Sequence, residues 1–433
     1  IYTDEIIMLL QILGGMDNMK ISQWDINLKI RLCGETLFNL LYWMYFPFIA
    51  IYFSKSLGNH VAGLLMTIPP LFSIIGNIVG GNLSDKLGRR YTMLLGSLIQ
   101  TIMFVLFSLS INYWIDYIAF LGISLGGALY RPASSAMVAD LALEKERKKI
   151  FATFITAKNI GAVLGPSLGA IFFFQYRSQL LWVCTLVMFL YSIAIYIKVH
   201  ESLPNFTKKE FKMTSIPNIL RSEWKGYGGI LLDRVFILYI LGGVFAVITT
   251  MQLDLYLSIY VINYVPAQNL INWHNWTYML NSNEIFGWIL GLNGLLFVLF
   301  VIPVTKWLKN WEDRNVFILS SILAGGGIFL VGLTENIWLL FLLTIIFTFG
   351  EIVRAPVLEN FVSDYAPKDA RGMYMGASNL QFTIGRFFAP LTVFLSEWIN
   401  PIGIFGIILF FAIISALMYI RLYKSDNSKN LNI

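Results

Sequence analysis

Of the 433 residues, 57% are hydrophobic and only 13% charged, and the mean hydropathy is +0.69. So little charge cannot cover a water-exposed surface of this size, which excludes a soluble globular protein. The net charge of +6 follows from the loops described below and gives no reason to expect a nucleic-acid partner.

In chain order, residues 1–30 form an N-terminal segment. Its first part, Ile1–Gly15, lies ahead of Met16 and Met19 and reads as translated upstream sequence, with Met19 the expected start. No short apolar region with a small-residue cleavage site opens the chain, so no cleavable signal peptide is expected. Apolar runs of about twenty residues then recur, each long enough to cross a hydrocarbon core of ~30 Å as a helix. They lie near 31–54, 61–82, 91–111, 114–141, 150–174 and 179–199, and again near 231–262, 285–305, 316–333, 337–362, 372–396 and 403–422. They are too long for barrel strands and lack the alternation of such strands. The predicted architecture is an all-α polytopic membrane protein of twelve transmembrane helices.

Residues 31–199 and 231–422 are expected to form two six-helix bundles, joined by a linker at 200–230 and followed by a tail at 423–433. The linker carries Lys208, Lys209 and Lys212. Lys and Arg gather in one set of connections, whereas the opposite loops hold only Lys55 and Arg177. By the positive-inside rule the basic loops and both termini are cytoplasmic. A shift of 224 positions superposes Gly126 on Gly350, Pro132 on Pro356, Asp140 on Asp364, Arg147 on Arg371, Gly161 on Gly385 and Pro166 on Pro390. These turn-formers and charges constrain backbone and loop geometry. The halves therefore read as pseudo-symmetric repeats, a layout that places a substrate cavity between two bundles.

Between spans 2 and 3 the chain reads "GGNLSDKLGRRY", Gly80 to Tyr91. The glycines Gly80 and Gly81 are expected to let span 2 approach a neighbouring helix, and Gly88 to let the backbone reverse. The pattern Gly81, Leu83, Asp85, Lys86, Gly88, Arg89, Arg90 resembles the loop motif of the major facilitator superfamily. That resemblance covers residues 20–422 and implies the family's fold. It also implies a conformational latch in which the Arg pairs with an acid closing span 4, here Asp140. Asp85 would meet the start of span 11 near Gly372. Span 5 carries Gly161, Gly165, Pro166 and Gly169 in "NIGAVLGPSLGA", which resembles the motif of drug/proton antiporters, with Ala170 replacing its last glycine. Close helix packing explains the same residues without antiport. The general arrangement is similar to the Gram-positive multidrug/proton antiporters.

Charge inside a span costs about 2.5–3.5 kcal/mol on insertion scales, so each case calls for a function. Glu351, central in span 10, is the leading candidate to carry a proton, and the resemblance agrees; an ion pair with Arg354, three residues on, is the alternative. Asp254 in span 7 suits a proton route or a cation site. Glu35 in span 1, with Asn39 one turn later, is either a coupling acid or a helix-end carboxylate, and Glu359 reads as structural. Tyr42, Asn39, Lys158, Arg354, Phe382 and Arg386 are candidate cavity residues, and the cations among them keep an anionic substrate open. No metal cluster, nucleotide loop or cofactor motif is visible: His60, His200 and His274 lie far apart, and Cys33 and Cys184 are intramembrane.

The reading is a proton-coupled efflux transporter, not an enzyme, in a bacterial cell membrane. It is expected to be a monomer that exchanges protons for amphipathic small molecules. A carrier of one metabolite, siderophore or lipid, and a non-transporting receptor or scaffold, stand as alternatives.

Overall fold

A computed structural model of the chain describes residues 24–141, 144–203, 233–273, 276–366, 374 and 377–430. The expected start at Met19, most of the linker and the Gly372 region lie outside the described residues, and the Lys158 side chain is not among those described. The helices are α1 (Ile26–Leu57), α2 (Asn59–Leu65), α3 (Ile68–Leu87), α4 (Arg89–Leu109), α5 (Tyr113–Leu141), α6 (Glu144–Gln175) and α7 (Arg177–Lys198). There follow α8 (Arg234–Thr250), α9 (Tyr256–Tyr264), α10 (Ser282–Trp307), α11 (Asp313–Val331), α12 (Ile337–Tyr365), α13 (Leu380–Phe388), α14 (Leu391–Leu395) and α15 (Pro401–Asn430). Every predicted span has a helical counterpart. Among the described residues nine helical segments are long and apolar enough to cross a bilayer. Their outward faces carry large apolar side chains such as Ile102, Leu186, Ile302 and Phe410, which suit lipid.

Helix ends are set by recognisable chemistry. Asn281 and Glu284 make a reciprocal capping box at the start of α10, and Asn336 accepts from the Trp338 and Leu339 amides at the start of α12. Gly88 holds φ +94°, a left-handed value that glycine tolerates without a Cβ penalty, and so lets α3 turn into α4.

The connection between α9 and α10 has order of its own. It contains an antiparallel hairpin of β1 (Gln268–Trp273) and β2 (Trp276–Leu280), with a register irregularity between Asn269 and Ile271. Its base is tied down by Gln268, whose side chain donates to the Glu335 carbonyl and accepts from the Ile337 amide at 3.1 Å.

The chain forms two compact units. The first holds the described residues up to Phe46 and from Leu71 to Leu203; the second holds Pro47–Pro70 and the described residues from Asp233 onward. The second half of span 1 and the start of span 2 thus group with the second unit, whereas the sequence boundaries assign them to the first. Small side chains allow this: a Cβ on Gly63 would lie 2.6 Å from the Phe394 Cα. In the first unit Leu28, Leu32, Val138, Ile150 and Phe154 share a core. The second is centred on stacked aromatics, with Phe317 on Tyr419 at 4.4 Å and Tyr239 on Phe361 at 4.6 Å.

Candidate functional site

One acid of the second unit sits where a helix is interrupted. Helix α8 ends at Thr250, a single 3-10 turn covers Met251–Leu253, and α9 begins only at Tyr256. Asp254 occupies this break, and its Oδ1 is buried without a hydrogen-bond partner among the described residues. Span 11 is also interrupted, at Ala389 and Pro390 between α13 and α14. Gln252 joins the two interruptions: its Nε2 donates to the Ile248 and Ala389 carbonyls at 2.8 and 3.2 Å, and its Oε1 accepts from Thr392 at 2.7 Å. Discontinuous helices free backbone groups and are a common place for ions to bind in transporters.

Glu351 lies in the middle of α12. Its Oε2 accepts from Asn293 Nδ2 on α10 at 2.7 Å, and the same amide nitrogen donates to Thr348 at 3.0 Å. Glu351 is within electrostatic range of Asp254, and Asp254 within range of Arg386. The unit therefore assembles two acids and an exposed arginine that are far apart in sequence. The alternative pairing of Glu351 with Arg354 is not formed. Arg354 turns into the core, where it donates to the Tyr419 hydroxyl at 2.6 Å and to Gln381 at 3.3 Å and lies over the Phe317 ring. Being 5% exposed, Arg354 is a packed core cation rather than the cavity residue expected of it. Phe382, on α13 with Arg386, is partly exposed.

Glu35, the third candidate acid, belongs to a network of the first unit. It pairs with Arg31 at 2.6 Å and accepts from Tyr130 at 3.3 Å and from Ser134. Tyr130 in turn bonds to Tyr191 at 2.6 Å, so α1, α5 and α7 are tied together. Arg31 matches the charge of Glu35, so this carboxylate is paired within the network that ties the three helices. Asn39 and Tyr42 are half-buried on the same helix, with Tyr42 stacked on Phe46 at 4.6 Å. The antiporter-like glycines are packing residues by geometry: a Cβ on Gly161 would lie 2.7 Å from the Leu40 nitrogen, and one on Gly165 2.9 Å from the Leu40 oxygen. Pro166 and Gly169 lie buried further along α6, which continues through the proline.

Of the expected latch contacts, the one of Asp85 near Gly372 lies outside the described residues, and the one of the arginine is formed. Arg89 bonds to Asp85 and Ser84 and reaches Asp140 at 3.2 Å. Arg90 instead donates to the Tyr196 carbonyl near the end of α7. The two glycines differ: a Cβ on Gly80 would lie 2.8 Å from the Leu129 Cα, whereas one on Gly81 would meet nothing within 4 Å. Only Gly80 serves close approach, so that part of the expectation for Gly81 is corrected.

Several contributors were not visible in the sequence. Glu201, just after α7, caps the start of α4: its two carboxylate oxygens accept from the Arg89 and Arg90 amides at 2.8 and 3.1 Å. Ser202 donates to Asp140 at 3.1 Å, and Asn27 and His200 exchange hydrogen bonds at 3.0 and 2.9 Å. The first residues after α7 are thereby joined to the start of α4 and to Asp140. Glu201→Ala is expected to cost about 1–2 kcal/mol through the lost caps and to lower the unfolding midpoint in detergent, with Glu201→Gln losing less. Equal midpoints for all three proteins would show that water replaces the carboxylate. In the second unit Asp233, which the sequence left without a role, caps α8 and accepts from Tyr365 at 2.9 and 2.8 Å and from Tyr374 at 3.2 Å.

A family model described as Major Facilitator Superfamily matches residues 32–273 and 266–432. The chain is 34% identical over 413 residues to a Na(+), Li(+), K(+)/H(+) antiporter of Planococcus maritimus, covering 94% of this chain and 97% of that protein. It is 25% identical over 353 residues to the multidrug resistance protein MdtH of Cronobacter sakazakii, covering 79% and 80% of the two chains. Among solved structures, a POT family transporter in complex with 5-aminolevulinic acid superposes with a TM-score of 0.73 at 17% identity, over 92% of this chain and 95% of that one. At that identity the likeness concerns the fold.

Proposed function

The chain belongs to the Major Facilitator Superfamily, and from that premise we propose that it is a proton-coupled antiporter whose coupling acids are Glu351 and Asp254. One observation carries this reading. Two carboxyl groups inside spans stand in electrostatic range of each other, one on an interrupted helix, and neither is neutralised by Arg354. An acid held in oil that both sides of the membrane reach in turn exchanges a proton for a cation without any cofactor. The basic loops support a cytoplasmic position for both termini in a bacterial cell, and exchange runs by alternating access.

The cargo is a monovalent metal cation. The full-length similarity to the Planococcus antiporter supports this, as does the hard-cation preference for oxygen ligands that Asp254, Glu351 and the carbonyls at a helix break supply. Export of amphipathic compounds is the second reading. It is favoured by the MdtH relatives and by the aromatic run of Tyr42, Trp43, Tyr45 and Phe46 on α1.

Inside-out vesicles energised in the presence of a pH-sensitive dye test both. Proton release evoked by Na+, Li+ or K+ supports the first reading, and release evoked only by amphipathic dyes the second. The absence of either, with uptake of a solute by whole cells, overturns the antiport reading. Asp254→Asn is expected to weaken apparent cation affinity at least about tenfold, the equivalent of roughly 1.4 kcal/mol. An unchanged half-saturating cation concentration in the same dye assay would remove Asp254 from the site.

A further inference from the structure

The hydrogen-bond arithmetic around Asn293 carries an assignment that rests on the reading of Glu351 as the coupling acid. Thr348, fully buried, spends its hydroxyl hydrogen on the Thr344 carbonyl at 2.7 Å, so towards Asn293 its oxygen can only accept. Asn293 therefore directs both amide hydrogens along α12, one to Thr348 Oγ1 and one to Glu351 Oε2. This is the arrangement that an ionised carboxylate requires, because it can only accept.

A protonated Glu351 has the opposite need, since its hydroxyl must find an acceptor. A half-turn of the amide about its terminal torsion presents Oδ1 in place of Nδ2. The Thr348 hydroxyl then swings from Thr344 to the same oxygen. In both states each hydroxyl hydrogen on α12 keeps an acceptor, the half-buried Asn293 carries the change of orientation, and the only proton gained or lost is the one on Glu351. A leucine, although similar in size, offers neither orientation.

We propose that Asn293 is a positioning residue which switches between donating to the Glu351 carboxylate and accepting from its acid form, so that α12 passes through the coupling cycle with no orphaned polar group. Among the described residues the other charged groups facing this position are Asp254, in electrostatic range of Glu351, and Arg386, in range of Asp254; Arg354 on the same helix is committed to Tyr419 and Gln381. Asn293 itself carries no charge, so its removal changes hydrogen bonding and leaves this charge set intact.

The test compares Asn293→Leu, Asn293→Ser and wild type, full length in vesicles, by the pH dependence of exchange and by infrared difference spectra of the carboxyl C=O stretch. Leucine removes a donor to the charged form. It is expected to move the half-maximal pH of exchange to the alkaline side by on the order of one unit, the size of one hydrogen bond to a charged group. It is also expected to shift the protonated-carboxyl band to a non-hydrogen-bonded frequency. Serine, which donates and accepts, is expected to restore much of both. An unmoved pH profile and band in a folded leucine variant, with Glu351→Gln still inactive, overturns the assignment and leaves the coupling role of Glu351 standing. If leucine does not fold, a serine variant with wild-type profile and band supports the assignment, and one displaced as far as an acceptor-free site overturns it. Wild-type exchange by Glu351→Gln removes both.

Discussion

Vesicles carrying Glu351→Gln are expected to exchange cargo no faster than protein-free vesicles, while the purified variant unfolds at or above the wild-type temperature. Gln has the shape of Glu and keeps an amide oxygen that accepts from Asn293, so the link between α10 and α12 survives. What disappears is the ability to hold or release a proton. The cost of an ionised group within a span, about 2.5–3.5 kcal/mol on insertion scales, disappears with it, so stability has no reason to fall. The two readouts must therefore separate. A variant that both unfolds early and transports poorly would mark Glu351 as a structural residue, and one that transports normally would remove it from the mechanism.

Gly161→Ala is expected to have the largest effect on stability, lowering it by roughly 1–3 kcal/mol and lowering the yield of folded protein. The new methyl would meet the Leu40 nitrogen at 2.7 Å and the Asn39 carbonyl carbon at 2.8 Å, both backbone atoms that cannot rotate aside. Helices α1 and α6 must move apart instead. The helix-propensity gain of about 1 kcal/mol from Gly to Ala works the other way, but it does not relieve an overlap of backbone atoms. Gly81→Ala supplies the control, because its Cβ meets nothing within 4 Å and only the propensity gain applies. Thermal unfolding in detergent should rank Gly81→Ala at or above wild type and Gly161→Ala well below. Equal midpoints for the two would deny the packing role of the span-5 glycines.

The fold was readable because the bilayer imposes a length and an apolar composition on each crossing, and these survive in the bare sequence. The meeting of Arg89 with Asp140 was readable through its motif. The interruption of span 7 was not: "TTMQLDLYL" contains no Gly or Pro, and the Ala389 carbonyl that Gln252 meets at the break lies 137 positions away. Asn293 gives no signal for a different reason: a lone neutral amide in "GWILGLNGLLF" carries none of the insertion cost that marks a charge. Glu201 gave no signal, because an acid after a helix is unremarkable until the chain folds its oxygens onto the start of α4.

The interruption at Met251–Leu255 also has a mechanical meaning. An intact helix behaves as a stiff rod, so tilting one end swings the other. Where the rod is severed, α9 can lean or straighten while α8 stays packed among its aromatic neighbours, and the side chain of Gln252 acts as the pivot shared with span 11. Movement of one half of the span past the acid at the joint then needs no matching displacement at the far end.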